Sequence, residues 1–332
     1  MKTANVLGGA LLAASLTMTS VAALAEPIKV SAAVYGLRAE FMQLWSNALK
    51  DHPAVKNGTV NITIFDGRYD AMVQDSQFDT TITQQFDAML LVPIDSNACA
   101  AGVARAVAAG IPVVGSNARC NTDQLAAFVG SDDVKGGEMV ANAVLSKIGY
   151  KGNVVILEGP IGQSGQIDRA QGITNVLAKH PDVKVLEMRT ANWSRSEALS
   201  LMENWLAAHR GKIDGIIGQN DEMALGAIEA VKQAGLDVND FAIAGIDGVT
   251  DALQAVKANE MESVLQDARA QAQGALDVAI RQVKGESYRP QSTIWKQYAD
   301  KMAWDDGMKK EYNVPWTPVT QSNVDELLSG RK

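Results

Sequence analysis

Gly215-Ile216-Ile217-Gly218-Gln219-Asn220-Asp221-Glu222-Met223-Ala224-Leu225-Gly226 is a short apolar run that stops abruptly at four polar residues. Apolar residues at helical period follow at once. The pattern predicts a buried parallel strand that delivers Gln219, Asn220 and Asp221 to the mouth of a sheet, where a helix starts. In open α/β sheets, ligands sit beyond the carboxyl ends of strands. Asn and Asp are also preferred helix caps, so capping alone explains one such junction. A site requires the junction to recur.

It recurs in both directions. Downstream, the strand 241–246 ends at Asp247-Gly248. Upstream lie a strand over 153–158, the loop Gly159-Pro160-Ile161-Gly162-Gln163-Ser164-Gly165, a helix carrying Arg169, and a strand over 183–188. The N-terminal half repeats the scheme. A strand over 28–35 leads to a helix with apolar Phe41, Leu44, Trp45 and Leu49. Strands over 60–65, 88–92, 111–114 and 128–130 end at Asp66-Gly67-Arg68, Pro93-Ile94-Asp95, Ser116-Asn117 and Ser131-Asp132-Asp133. Two runs of βα units predict an α/β fold of two doubly wound parallel-sheet lobes. From Tyr288 onward the pattern lapses and Trp, Tyr and Pro increase, which reads as a hinge-crossing strand followed by an extension over the surface.

The first 25 residues stand apart. A positive Met1-Lys2 start, a small and apolar stretch over 6–21, and Ala23-Leu24-Ala25 before Glu26-Pro27 form a secretory signal peptide with cleavage after Ala25. No Cys follows the apolar region, so a lipid anchor is not indicated, and no later stretch is apolar enough for membrane insertion. The 332 residues less these 25 leave 307, enough for two domains. The net charge of −8 becomes −9 without Lys2, which favours solubility and argues against a nucleic-acid partner. Export also bears on Cys99 and Cys120, the two cysteines. Each lies just past the end of one of two consecutive strands, so they are a disulfide candidate in an oxidising compartment.

Enzyme motifs are missing. No dinucleotide fingerprint follows a strand, and neither a phosphate-binding Gly-x-x-x-x-Gly-Lys-Ser/Thr loop nor a Gly-x-Ser-x-Gly elbow occurs. His52, His180 and His209 lack metal-ligand spacing, and no cofactor is called for. What recurs is a polar set at strand ends and in the following helices: Asn117, Arg169, Asn220 and Asp247. Carboxylates, amides and a guanidinium suit a neutral polyhydroxylated ligand, whose hydroxyls both donate and accept. An aromatic ring against the apolar C–H face of a sugar completes such a site, and Trp193 is the candidate.

These residues carry a resemblance. The mature chain to about residue 295 resembles the ribose-binding class of periplasmic sugar-binding proteins of ABC transporters (the type I periplasmic binding fold), and is similar to effector domains of lac-type repressors. The matches are Gln219-Asn220-Asp221-Glu222-Met223-Ala224-Leu225-Gly226, Gly245-Ile246-Asp247-Gly248, Gly130-Ser131-Asp132-Asp133 with Gly136-Gly137, and Arg169-Ala170-Gln171-Gly172. The resemblance implies two lobes joined by a three-crossover hinge, with crossings near Ser131, Gln266 and residue 295. Lobe 1 would then comprise 26–131 and 267–295, and lobe 2 132–266 and about 296–302, with 303–332 an extension. It also implies that Arg169, Asn220 and Asp247 bond the ligand, that Trp193 stacks on it, and that Phe41, Asn117 and Gln266 complete the site. The ribose type has Asn-x-Phe-Phe where this chain reads Arg38-Ala39-Glu40-Phe41, and an Asp-Arg pair where it reads Asn117-Ala118-Arg119. Both departures lie in the first lobe and point away from ribose, toward another pentose, a hexose or a linear sugar alcohol.

The reading is a monomeric, periplasmic solute-binding protein that captures a small sugar or polyol and delivers it to an ABC permease by closure rather than reaction. The alternatives are a periplasmic enzyme acting on a small carbohydrate, or a sugar receptor subunit for chemotaxis or sensing. A repressor domain is disfavoured by the leader and by the lack of a helix-turn-helix before the first strand.

Overall fold

The computed structural model describes residues 26–331, so the signal peptide expected over 1–25 lies outside the described residues. Strands buried on both faces need helices on both faces, and the apolar runs supply such strands. The strands of the first half are β1 (Ile28–Val34), β2 (Val60–Asp66), β3 (Ala88–Val92), β4 (Val113–Ser116) and β5 (Ala127–Gly130), of which the edge strand β2 is partly exposed. The second half has β6 (Gly152–Glu158), β7 (Val183–Thr190), β8 (Gly215–Gly218), β9 (Ala242–Asp247) and β10 (Glu262–Leu265). Every residue of β3, β8 and β9 is buried. Two short strands close the chain, β11 (Glu311–Asn313) and β12 (Thr317–Val319).

They form two six-stranded sheets, ordered β11-β5-β4-β3-β1-β2 and β12-β10-β9-β8-β6-β7. All pairings are parallel except that of β10 with β12. In each sheet the order reverses beside the first strand of its half, the place where open α/β sheets bind ligands. The fold is therefore two doubly wound lobes, one per sheet.

The chain crosses between lobes three times, and the third crossing differs from expectation. The first lies between β5 and β6. The second lies after β10, where Gln266 leads into the helix Ala268–Lys284 packed on β3, β4 and β5. The third falls between β11 and β12, at residues 314–316, and not near residue 295. The physical reason is the buried carboxylate of Asp277 in the helix Ala268–Lys284. It accepts hydrogen bonds from Tyr288, Ser292 and the Trp295 indole, and His52 Nε2 stands 3.2 Å away. These donors hold the 288–295 segment on lobe 1. Tyr298 continues the attachment by donating to Asp267 at 2.7 Å, so 296–302 does not return to lobe 2. Nor is 303–332 a surface extension, because it supplies an edge strand to each sheet.

Candidate functional site

The site is built from strand ends that face one another across the lobes. From lobe 1 come Tyr35 after β1, Phe41 on the helix Glu40–Lys50, and Asn117 and Ala118 after β4. From lobe 2 come Asp133, Gln163, Gly165, Arg169, Trp193, Asn220 and Asp247. Together they line one small cavity between the lobes. Six of the expected residues, Phe41, Asn117, Arg169, Trp193, Asn220 and Asp247, thus converge on one cavity.

Arg169 is at its centre. It lies in the helix Ser164–Leu177, whose backbone approaches the helix Asp133–Lys147 so closely that a Cβ at Gly137 would stand 2.2 Å from the Arg169 carbonyl oxygen. That glycine seam puts the Arg169 side chain beside the first residue of the neighbouring helix. Nε donates to Asp133 Oδ1 at 2.8 Å and Nη1 to the Gln219 carbonyl at 2.7 Å, while Asp247 Oδ1 lies 3.9 Å from Nη1. Nη2 makes no hydrogen bond among the described residues, so its two N–H groups are available to a ligand. Burial works against the Arg169 charge, but the carboxylates of Asp133 and Asp247 outweigh it and hold the guanidinium above its ordinary range.

Asn220 reconciles capping with a site. Its Oδ1 accepts from Met223 N at 2.9 Å and caps the helix Asp221–Gln233, which leaves Nδ2 without a protein partner among the described residues. Gln219 and Asp221 do not reach the cavity wall. Gln219 Oε1 is taken by Gly159 N, and Asp221 accepts from Gly248 N, Val249 N and Ser263 Oγ. Burial pushes the Asp221 carboxyl up to about 7 against these donors. Asp221 thereby holds the turn that follows Asp247.

Asp247 itself has φ of 126°, a region that side chains other than glycine rarely occupy. Asn117 and Trp193 also have positive φ, at 59° and 56°. Such backbone costs of order 1–3 kcal/mol per residue. Burial raises the Asp247 carboxyl well above its usual range, with Arg169 pulling it back. Burial likewise raises the Tyr35 phenol well above its usual range, reinforced by Tyr69 and Asp247, so it is a hydroxyl donor at neutral pH.

Trp193 is buried, with Nε1 donating to Gln163 Oε1 at 2.6 Å and its ring packed on Gly159. Gln266 departs from expectation. It does not line the cavity, because its Oε1 accepts from Asn117 Nδ2 and from Gln271 Nε2. It orients Asn117, whose Oδ1 is left as an acceptor. Five wall residues escaped sequence reasoning, and three of them, Tyr35, Asp133 and Gln163, carry hydrogen-bonding side chains. Tyr35 was visible only as the last residue of a strand, Asp133 as the end of the 128–130 junction, and Gln163 inside a loop whose glycine spacing fits no phosphate site.

Polar contacts join the lobes around the cavity. Arg38 Nη2 donates to the Asn192 carbonyl at 2.9 Å, and Glu40 Oε1 accepts from Thr250 N and Oγ1 at 3.1 and 2.5 Å. Gln163 Nε2 donates to the Pro93 carbonyl and Arg119 N to Ser164 Oγ. Arg38 and Glu40, the residues that depart from the ribose-type pattern, therefore serve as cross-lobe contacts. Cys99 and Cys120 are bonded, with Cα atoms 5.9 Å apart, behind the loop that carries Asn117 and Ala118. Among the described residues, no cluster of His, Cys, Asp and Glu could hold a metal ion, and no helix is long and apolar enough to cross a membrane.

The family described as "Periplasmic binding protein domain" matches residues 30–287. The chain belongs to the periplasmic binding protein family. Among relatives of this periplasmic binding protein, a xylitol-binding protein of Mycolicibacterium smegmatis is 43% identical over 66% of this chain and 63% of its own length. A putative rhizopine-binding protein of Rhizobium meliloti is 36% identical over 95% of this chain and 96% of that one. An ABC transporter solute-binding protein of Bacillus halodurans, solved with bound myo-inositol, superposes with a TM-score of 0.79 at 29% identity, covering 92% of this chain and 98% of that one. The family is periplasmic and its members are binding proteins, so this chain is a binding protein and not an enzyme.

Proposed function

We propose that this protein captures one small neutral sugar or sugar alcohol between its lobes and presents it to an ABC permease. The observation that carries the reading is the enclosed cavity, in which both lobes contribute polar groups and aromatic rings to one small volume. Arg169, Asn117, Asn220 and Asp247 bond hydroxyls, while Phe41 and Trp193 lie against apolar C–H faces. Tyr35, Asp133 and Gln163 belong to the same wall, and Gln266 acts through Asn117. The relatives named for xylitol and rhizopine, and the neighbour holding myo-inositol, support a polyol as the ligand class. The use of Arg38 and Glu40 as latches supports a ligand other than ribose. Residues 1–25 direct export and are then removed, leaving Glu26 as the mature N-terminus, which intact-mass measurement of the exported protein checks.

A thermal-shift screen over pentoses, hexoses, pentitols and inositols tests the function. A true ligand at 100 times its dissociation constant adds about 2.7 kcal/mol of apparent stability. No shift with any member of the panel would sink the reading.

A further inference from the structure

The third crossover brings a second indole to Arg169. The guanidinium carbon lies 5.4 Å from the Trp193 ring centroid and 5.9 Å from that of Trp316, both within cation–π range. Trp316 does not line the cavity, so it acts on the site from behind the wall. Its Nε1 donates to the Asp132 carbonyl at 2.7 Å, one residue before the Asp133 that receives Arg169 Nε. Gly136 provides its seat, since a Cβ there would stand 2.6 Å from Trp316 Cζ2. The same side chain thus braces the guanidinium and the backbone beside its carboxylate partner. Trp316 also sits between β11 of one sheet and β12 of the other, on the segment whose backbone spans the two lobes.

We propose that Trp316 is a positioning residue for ligand capture: it holds Arg169 in the orientation that aims Nη2 into the cavity, and it ties that orientation to the third crossover. The proposal rests on the reading of the cavity as the ligand site. Nε and Nη1 are anchored to Asp133 and to the Gln219 carbonyl, which leaves Nη2 without an anchor among the described residues. An indole alongside resists the rocking of the plane that would withdraw Nη2 from a ligand. This role requires an aromatic ring at position 316 and room for it at Gly136.

Trp316→Leu, Trp316→Phe and Gly136→Ala form the test, the last keeping the indole but denying its seat. The first readout needs no ligand. In protein labelled with 15N-arginine, the Arg169 Nε–H resonance is identified by its loss in Arg169→Lys. It should move in Trp316→Leu and in Gly136→Ala, as the ring current is lost or displaced, and stay nearer its original position in Trp316→Phe. The second readout is calorimetric titration with xylitol, ribose and myo-inositol as probes. For any that binds, Trp316→Leu should weaken affinity roughly 3- to 30-fold. Trp316→Phe should recover most of that loss. In an Arg169→Lys background the Leu change should add less than about 2-fold, because the two residues act as one unit. An Arg169 resonance unmoved in Trp316→Leu, or the full loss of affinity repeated in the Arg169→Lys background, overturns the proposal. If Trp316→Leu does not fold, Gly136→Ala and Trp316→Phe decide by the same readouts. If none of the three probes binds the wild type, those three ligands are excluded, the wider panel decides the ligand reading, and the resonance decides the role of Trp316.

Discussion

Asn220 divides its two ends between stability and binding, so its replacement separates the two. Loss of the Oδ1 cap should lower unfolding free energy by about 0.5–2 kcal/mol. Loss of the Nδ2 donor should in addition weaken ligand affinity by about 2- to 13-fold, the worth of a net 0.5–1.5 kcal/mol hydrogen bond. Chemical denaturation and titration of Asn220→Ala check the halves independently, and an unchanged affinity would reduce Asn220 to a cap. Asp247 makes a different prediction, about pH. Burial raises its carboxyl in the ligand-free protein. Ligand hydroxyls that donate to it favour the ionised form, so the complex binds fewer protons than the free protein. Affinity should therefore fall as pH is lowered through the raised value, with a proton released on binding at the acid end. Titrations in buffers of different ionisation enthalpy measure that proton, and Asp247→Asn should flatten the profile. A profile equally steep in Asp247→Asn would move the effect to another group.

Among the elements, the loop after β4 carries Asn117 and Ala118 to the cavity, and the Cys99–Cys120 bond fastens it to the start of the helix Cys99–Ala108. The closed loop has a sequence separation of 21, for which the chain-entropy relation gives roughly 3 kcal/mol. The double Cys→Ser variant should lose about that much stability, and two titratable thiols in the native, oxidised wild type would contradict the bond. The βα elements were legible because strands covered on both faces read as unbroken apolar runs that end at polar residues. The third crossover was not. Glu311-Tyr312-Asn313 and Thr317-Pro318-Val319 are three-residue edge strands, too short to show a period. The Trp- and Tyr-rich segment before them resembles a crossing only until Asp277 is seen gathering its donors. The site was legible as strand-end polar residues. What sequence could not sort was which end of each junction faces ligand, since Asn220, Gln219 and Asp221 read alike and diverge only through their hydrogen bonds. Asp133 was hidden in the same way, as one more acidic residue opening a helix.

For the whole molecule, these junctions form a clamp whose two walls belong to different sheets. Cross-lobe bonds from Arg38, Glu40, Arg119 and Gln163 exist only when the lobes meet, and so do ligand contacts shared between lobes. Ligand therefore biases a hinged equilibrium by the contacts that only the closed form completes. The radius of gyration in solution scattering should shrink on saturation with ligand, and a profile identical with and without ligand would count against a clamp. Arg169 is the side chain on which this account depends, because Asp133, Asp247, Trp193 and the Gln219 carbonyl all gather around it. Hydrogen bonds to a charged group contribute about 1.5–3 kcal/mol, or roughly 10- to 150-fold in affinity. The direct measurement is calorimetric titration of the wild type and of folded Arg169→Ala with the polyol found by screening. We predict one site per chain and a loss of affinity within that range in the variant; wild-type affinity in Arg169→Ala would contradict the placement of the site.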